Sequence, residues 1–264
     1  MERSGRCRVR PLNGTGSRNS RRLLLAVVLC ACASASKDPL RTLWVGNSYT
    51  YVNDLPSMVG QLADAGGARR FEQVQECPGG STLKQHWDSG ADTALLSGSH
   101  FDWMVLQDQS QEPSFDLSVL ETDLYPYVTQ LDAAGRDAGT RAMLYLTWGR
   151  QNGDLENVPG DTYDAMQDRL IRGYETIAAR LHVPVAPVGI AWRTTRQQQP
   201  QLQLYQSDGS HPSEAGTYLA ACVFFQMLYG RSAVGNAFTG GLDAGTAKAL
   251  QQIAADTVSS YRQP

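Results

Sequence analysis

Short apolar runs alternating with longer amphipathic stretches constrain this chain more than any other feature of its sequence. Leu43-Trp44-Val45 is a first strand, closed by Gly46-Asn47, and Phe71–Gln75 is a second. Phe101–Leu106 (FDWMVL), Ala142–Thr147 (AMLYLT) and Val183–Val188 complete a set of five. Between them, apolar residues return at helical spacing. Leu55, Met58, Val59 and Leu62 mark a helix over 55–65, and a second is expected over 119–134. Met166, Leu170, Tyr174, Ile177 and Leu181 stripe a helix over 161–181, with Asp161 or Thr162 as its cap. Two more helices are expected, one after Pro212 and one over 244–261. Gln198–Gln206 reads as an irregular connection. Continuous apolar strands followed by helices predict a parallel sheet covered on both faces. In such sheets ligands sit beyond the carboxyl ends of the strands. The residues that follow each strand are therefore the informative ones.

The first 36 residues stand apart. They hold seven Arg and one Glu, which leaves 16 basic and 25 acidic residues in the remainder, a balance of −9. An acidic body argues against a groove that tracks phosphates, so nucleic acid is not expected as a partner. Arg18, Arg21 and Arg22 precede the apolar run Leu23–Cys32, and small residues follow. This three-part layout predicts a secretory signal peptide over 1–36 and one domain over 37–264. The apolar run is too short to span a bilayer, which needs ~20 residues. Leu29-Cys30-Ala31-Cys32 also resembles a loose lipoprotein processing site, which would make Cys32 a lipid anchor. Export to the medium, periplasm or envelope is the expectation in each case. An oxidising compartment permits a disulfide between Cys77 and Cys222, the two cysteines of the body, although two buried thiols read equally well.

Polar or glycine-rich residues follow every strand: Gly46-Asn47-Ser48, Cys77-Pro78-Gly79-Gly80-Ser81-Thr82, Gln107-Asp108-Gln109-Ser110-Gln111 and Trp148-Gly149-Arg150. Asp208-Gly209-Ser210-His211-Pro212-Ser213 stands near the end. A serine needs a base to take its proton, and an imidazole base needs a partner that holds its tautomer. Asp208 and His211 are three apart across a glycine, so a tight turn can bring the carboxylate to one ring nitrogen and leave the other for Ser48. Pro212 suits the first turn of a helix and would fix His211 at its entrance. Backbone N–H groups at Ser48 and Gly80, with a side-chain amide, could hold an oxyanion. Taken singly, each element has a plainer reading: Ser48 as a helix cap, Asp208-Gly209 as a turn, His211 as a surface histidine.

Together these blocks resemble the SGNH (GDSL-like) hydrolase superfamily. The usual Gly-Asp-Ser is Gly46-Asn47-Ser48 here, the glycine block is matched by Gly79-Gly80, and Asp208 to His211 matches the final Asp-x-x-His. The resemblance implies a flavodoxin-like three-layer α/β/α sandwich on a five-stranded parallel sheet. It also implies a serine esterase acting on carboxylic esters through an acyl-enzyme, with Ser48, Asp208 and His211 catalytic and no cofactor or metal. The third block departs: the family's Gly-x-Asn-Asp is absent, as in branches where a Gln supplies the oxyanion amide. Gln107 is the first choice for that role and Gln109 the second. The expected substrate is a small-molecule or carbohydrate ester, a short acyl or O-acetyl group. A non-catalytic relative that binds a glycan or an envelope partner is the alternative. Tyr49, Tyr51, Trp87 and Trp148 fall near the site, and Arg150 could hold an anionic group. His86, His100 and His182 are scattered without metal-ligand spacing.

Overall fold

The computed structural model describes residues 38–264. The expected signal segment, Cys32 included, lies outside them. Five parallel strands form one sheet in the order β2-β1-β3-β4-β5: β1 Leu40–Val45, β2 Phe71–Glu76, β3 Trp103–Leu106, β4 Arg141–Tyr145 and β5 Val185–Ala186. This is the flavodoxin-like order, whose switch point falls between β1 and β3. Val45 pairs with Glu76 on one side and with Leu106 on the other. The loops that leave β1, β2 and β3 therefore start at one level on the rim. β5 is only two residues long because Pro184 and Pro187 flank it, and a proline has no N–H to give a ladder.

Side chains sort onto the two faces with the period of a strand. Trp44, Val105, Met143, Tyr145 and Ala186 enter one core, covered by the Leu55–Ala65, Val188–Gln198, Glu214–Tyr229 and Ala244–Ser260 helices. Leu43, Val45, Met104, Leu106, Leu144 and Val185 enter the other, covered by Leu83–Ser89, Ala91–Gly98, Leu117–Asp123, Tyr125–Asp137 and Tyr163–Leu181. The expected three layers are present.

Several boundaries differ from expectation for local reasons. The stretch 119–134 is two helices broken at Leu124, where Pro126 in the next first turn cannot continue the ladder. Residues 83–98, unassigned by pattern, form two short helices around Gly90, whose φ of +70° ends the first. Val188–Gln198 is helical, where strand and connection were expected to meet. The last long helix but one starts at Glu214 with Ser213 as its cap. Pro212 therefore precedes the helix, in an antiparallel bridge with Tyr205, and does not occupy its first turn. Cys77 and Cys222 are free thiols, the second fully buried, so no disulfide joins them. Among the described residues no helix is long and apolar enough to cross a membrane.

Candidate active site

Ser48 stands at the first position of a four-residue helix directly after β1. A first helical N–H has no partner within its own helix, so Ser48 N–H is available to an incoming anion. The turn before it is tightly held. A Cβ on Gly46 would come within 2.6 Å of Gln107 Oε1 and 2.7 Å of Thr50 Oγ1, so a larger residue would displace the buried Gln107 and Thr50 side chains. Asn47 is buried and caps the helix, its Oδ1 accepting from Tyr49 N–H at 3.1 Å. Its Nδ2 donates to the carbonyls of Ser81 at 2.9 Å and Asp108 at 3.4 Å. An aspartate here would turn an oxygen toward those carbonyls, whereas the asparagine amide donates to both.

The far end of the domain meets this turn. Asp208 Oδ1 accepts from the N–H groups of Ser210 and His211 at 2.9 and 3.0 Å. Its Oδ2 lies 2.5 Å from His211 Nδ1, and His211 Nε2 lies 2.9 Å from Ser48 Oγ. Carboxylate, imidazole and hydroxyl are thus in series, as a proton relay requires. Desolvation pushes the Asp208 carboxyl up, but the bonds from His211 and from the two N–H groups outweigh it, and its pKa lies below the usual value. Asp208 therefore stays charged and holds a proton on Nδ1, which leaves Nε2 to accept from Ser48.

Aromatic side chains brace the histidine loop. Tyr49 stacks on Trp148 with ring centres 4.6 Å apart, and Trp148 stacks on Trp192 at 4.0 Å. Such pairs add about 0.5–1.5 kcal/mol each beyond area burial. Tyr49 OH bonds Ser210 Oγ at 2.7 Å, and Trp148 Nε1–H donates to Ser210 O at 3.0 Å. Asn53, left-handed at φ +55°, donates to Pro212 O at 3.0 Å and so ties the segment after Ser48 to the residue after His211. The tolerance of Asn for this conformation makes the tie possible. The sequence pattern singles out neither Asn53 nor the Ser210 bonds, since these contacts join residues 159, 161 and 62 positions apart.

A cleft of about 340 Å³ opens over Ser48 and His211 and is lined also by Tyr51, Gly79, Gly80, Gln109 and Arg150. Gly80 sits at φ +72° in a turn closed by Ser81 N–H to Pro78 O at 3.2 Å, a conformation that favours glycine. Gln107, the expected first choice for the amide donor, is fully buried and does not line the cleft. Its Oε1 accepts from Asn47 N–H at 3.0 Å and Thr50 Oγ1 at 2.9 Å, and its Nε2 donates to Asn47 Oδ1 at 2.9 Å and to Asp108 O. Both amide hydrogens are occupied, so Gln107 is a brace behind the turn. Gln109 does line the cleft, with Oε1 held by the N–H groups of Gln111 and Glu112 at 2.6 and 3.2 Å. Only a 3.3 Å contact to Gln111 Oε1 engages its Nε2, which leaves a hydrogen for a ligand.

Arg150 borders the cleft but is tied to Gln111 Oε1 at 2.8 Å and Glu156 at 3.0 Å. Of the aromatics expected nearby, Tyr51 is exposed at the cleft, Tyr49 and Trp148 are buried, and Trp87, in the Leu83–Ser89 helix, packs against the core. A larger cleft of about 460 Å³, lined by Gln151, Tyr163, Arg193 and Arg196 among others, holds no nucleophile with a base and lies apart from Ser48. His100 and His182 are not at the site, and among the described residues no group of three or more His, Cys, Asp or Glu is placed to hold a metal ion.

No family model and no curated protein matches this sequence. Solved structures do. A candidate SGNH hydrolase from Slackia heliotrinireducens is 29% identical, with a TM-score of 0.61 over 72% of this chain and 98% of its own. A DUF4886 family protein from Bacteroides uniformis is 19% identical, with a TM-score of 0.70 over 84% and 96%. A catalytic mutant of an acetylxylan esterase from Geobacillus stearothermophilus is 17% identical, with a TM-score of 0.55 over 75% and 99%, and shares the fold.

Proposed function

The chain belongs to the SGNH hydrolase superfamily, and we propose that it is a serine esterase of a Gly-Asn-Ser, glutamine-assisted branch. The series Asp208–His211–Ser48, with links of 2.5 and 2.9 Å at the mouth of a small polar cleft, carries this reading. His211 Nε2 takes the Ser48 proton as Oγ attacks the ester carbonyl. The tetrahedral oxyanion receives hydrogen bonds from Ser48 N–H, Gly80 N–H and Gln109 Nε2. His211 then returns the proton to the departing alcohol oxygen, leaving an acyl-Ser48 ester. Water attacks that ester as His211 takes its proton. The acid leaves as the proton passes to Ser48. Asp208 stabilises the imidazolium throughout and is not protonated itself.

The substrate we infer is a short acyl ester, an O-acetyl group on a carbohydrate above all. The cleft is small, and asparagine, glutamine, serine, glycine and tyrosine make up most of its walls. That lining offers hydrogen bonds to an alcohol moiety and no apolar tunnel for a long chain. The acetylxylan esterase that shares the fold agrees with this class. The sequence of 1–36, read as a signal peptide, supports action outside the cytoplasm. The mature protein is to be assayed on an activated acetyl ester and on acetylated oligosaccharides. Ser48→Ala is expected to lose at least ~10³-fold in kcat while remaining folded. Equal turnover by that variant would remove Ser48 from the chemistry. A wild-type protein that binds the oligosaccharide without cleaving it would indicate the glycan-binding alternative.

A further inference from the structure

Behind the Ser48 turn lies a second imidazole that the reaction above does not use. His86 is 3% exposed and Asp92 is fully buried. His86 Nδ1 lies 3.0 Å from Asp92 Oδ2, and His86 Nε2 lies 2.8 Å from the carbonyl oxygen of Gly46. Neither partner has a proton to give when Asp92 is ionised. Both contacts can be hydrogen bonds only if both ring nitrogens carry hydrogen, which is the imidazolium. The pair is poorly arranged for stability alone, because Asp92 Oδ1 is buried with no hydrogen-bond partner.

We propose that His86, held by Asp92, is a positioning residue for Ser48, clamping the Gly46 carbonyl and so fixing the turn that carries the nucleophile. The proposal rests on the ester-hydrolase reading above. Gly46 is the pivot of that turn. Its N–H is bound to Glu76 O at 3.1 Å, and Gln107 and Thr50 occupy the space that a Cβ would take. With its N–H and its carbonyl both bonded, Gly46 holds the peptide that leads to Asn47 and Ser48 in place. Displacements of about 1 Å at a nucleophile can lower a rate ~10²-fold, so the clamp acts on kcat and not on substrate affinity.

The charged groups around His86 favour its cation. Desolvation by itself would lower its pKa, but the bond and charge of Asp92, the Gly46 carbonyl and the Glu76 carboxylate outweigh it, and the pKa is raised. Asp108, beyond β3, also interacts with His86. The neighbouring Cys77 thiol is pushed up to about 12, first by burial and then by Asp92 and Glu76, and stays neutral. As pH rises through the raised His86 pKa, one nitrogen loses its hydrogen. Either the Asp92 bond or the Gly46 bond then fails.

Two variants of the full mature protein test this, read by kcat, KM and the rate at which a fluorophosphonate labels Ser48. The double variant His86→Leu/Asp92→Ala removes the donor without stranding a buried carboxylate. It should lose at least about tenfold in both kcat and labelling rate, with KM within about twofold. Asp92→Asn is the conservative rescue. Its side-chain amide donates to a neutral His86 Nδ1 and leaves Nε2–H on Gly46. It should restore most of the rate and abolish an alkaline fall in labelling that the wild-type protein shows. A folded double variant with kcat within twofold of wild type overturns the proposal. If the double variant does not fold, the pH profiles decide: coincident profiles for wild type and Asp92→Asn overturn it, and loss of the alkaline fall in Asp92→Asn sustains it. Failure of the wild-type protein to label at Ser48 refutes the esterase reading itself and is distinct from all of these.

Discussion

Asp108→Asn should stabilise the protein at alkaline pH and do little at acid pH. Asp108 is fully buried just past β3. Its Oδ1 accepts from Leu83 N–H at 2.7 Å, while its Oδ2 has no hydrogen-bond partner. Burial above all, with the charge of Glu112, pushes its pKa up to about 7. The unfolded carboxyl titrates near ~3.9, so the folded group binds its proton over about three pH units in which the unfolded one does not. A raised folded pKa gives stability that is fully present below the unfolded value and lost as pH rises through the folded one. At ~1.36 kcal/mol per unit, the loss is at most about 4 kcal/mol by pH 8. Asparagine keeps the acceptor for Leu83 and cannot ionise, so it escapes this loss. With ~2.1 cal/mol/K of unfolding entropy per residue, a body of this size gains up to roughly 8 °C in Tm at pH 8. At pH 4 the gain should shrink to roughly 1 °C or less by the same linkage. Thermal melts of both proteins from pH 4 to 8 measure it. A Tm difference that is constant with pH, or negative at pH 8, refutes the reasoning.

Gln109→Ala should lower kcat about 10²–10³-fold with KM little changed, the signature of a lost oxyanion donor. Gln107→Ala should instead lower stability by about 1–3 kcal/mol, because it strands the buried groups of Asn47 and Thr50, as a denaturant titration would register. Tyr49→Phe keeps the stack on Trp148 but releases Ser210; about 1 kcal/mol of stability and a several-fold drop in kcat are expected from melts and steady-state kinetics. The Asp208 carboxylate, with its lowered pKa, contributes stability above the ordinary carboxylate range that is lost as pH falls through its folded value. An NMR titration of that carboxyl should accordingly show a midpoint below ~3.9, and a midpoint above it contradicts the relay.

The parts of the site that sequence disclosed are those fixed by residue type and chain order. Ser48 after β1, Gly80 after β2 and the Asp208-x-x-His211 turn could be placed because a parallel sheet gathers its strand ends on one rim. The sequence ranking of Gln107 above Gln109 is reversed by the structure, since both follow β3 in the same polar run and their order there says nothing of direction. What separates them is direction: Gln107 turns into the space that Gly46 leaves by lacking a Cβ, and Gln109 reaches the cleft. His86 reads only as a scattered histidine for a related reason. Its partner Asp92 lies across the Gly90 break, where helical periodicity is interrupted, and its other partner is a backbone carbonyl with no mark in the sequence. The aromatic ladder from Tyr49 through Trp148 to Trp192 joins residues spread over more than half of the chain, and only packing reveals it. Pro126 could have warned that 119–134 is not one helix.

Ser48 acts as a nucleophile only if His211 activates it. Exposure of the mature protein to a fluorophosphonate, followed by peptide mass spectrometry, tests it most directly. One adduct per chain is expected on the peptide that contains Ser48, abolished in Ser48→Ala and slowed by at least about 10²-fold in His211→Ala. A protein that stays unlabelled, or that carries its adduct on another serine, contradicts it.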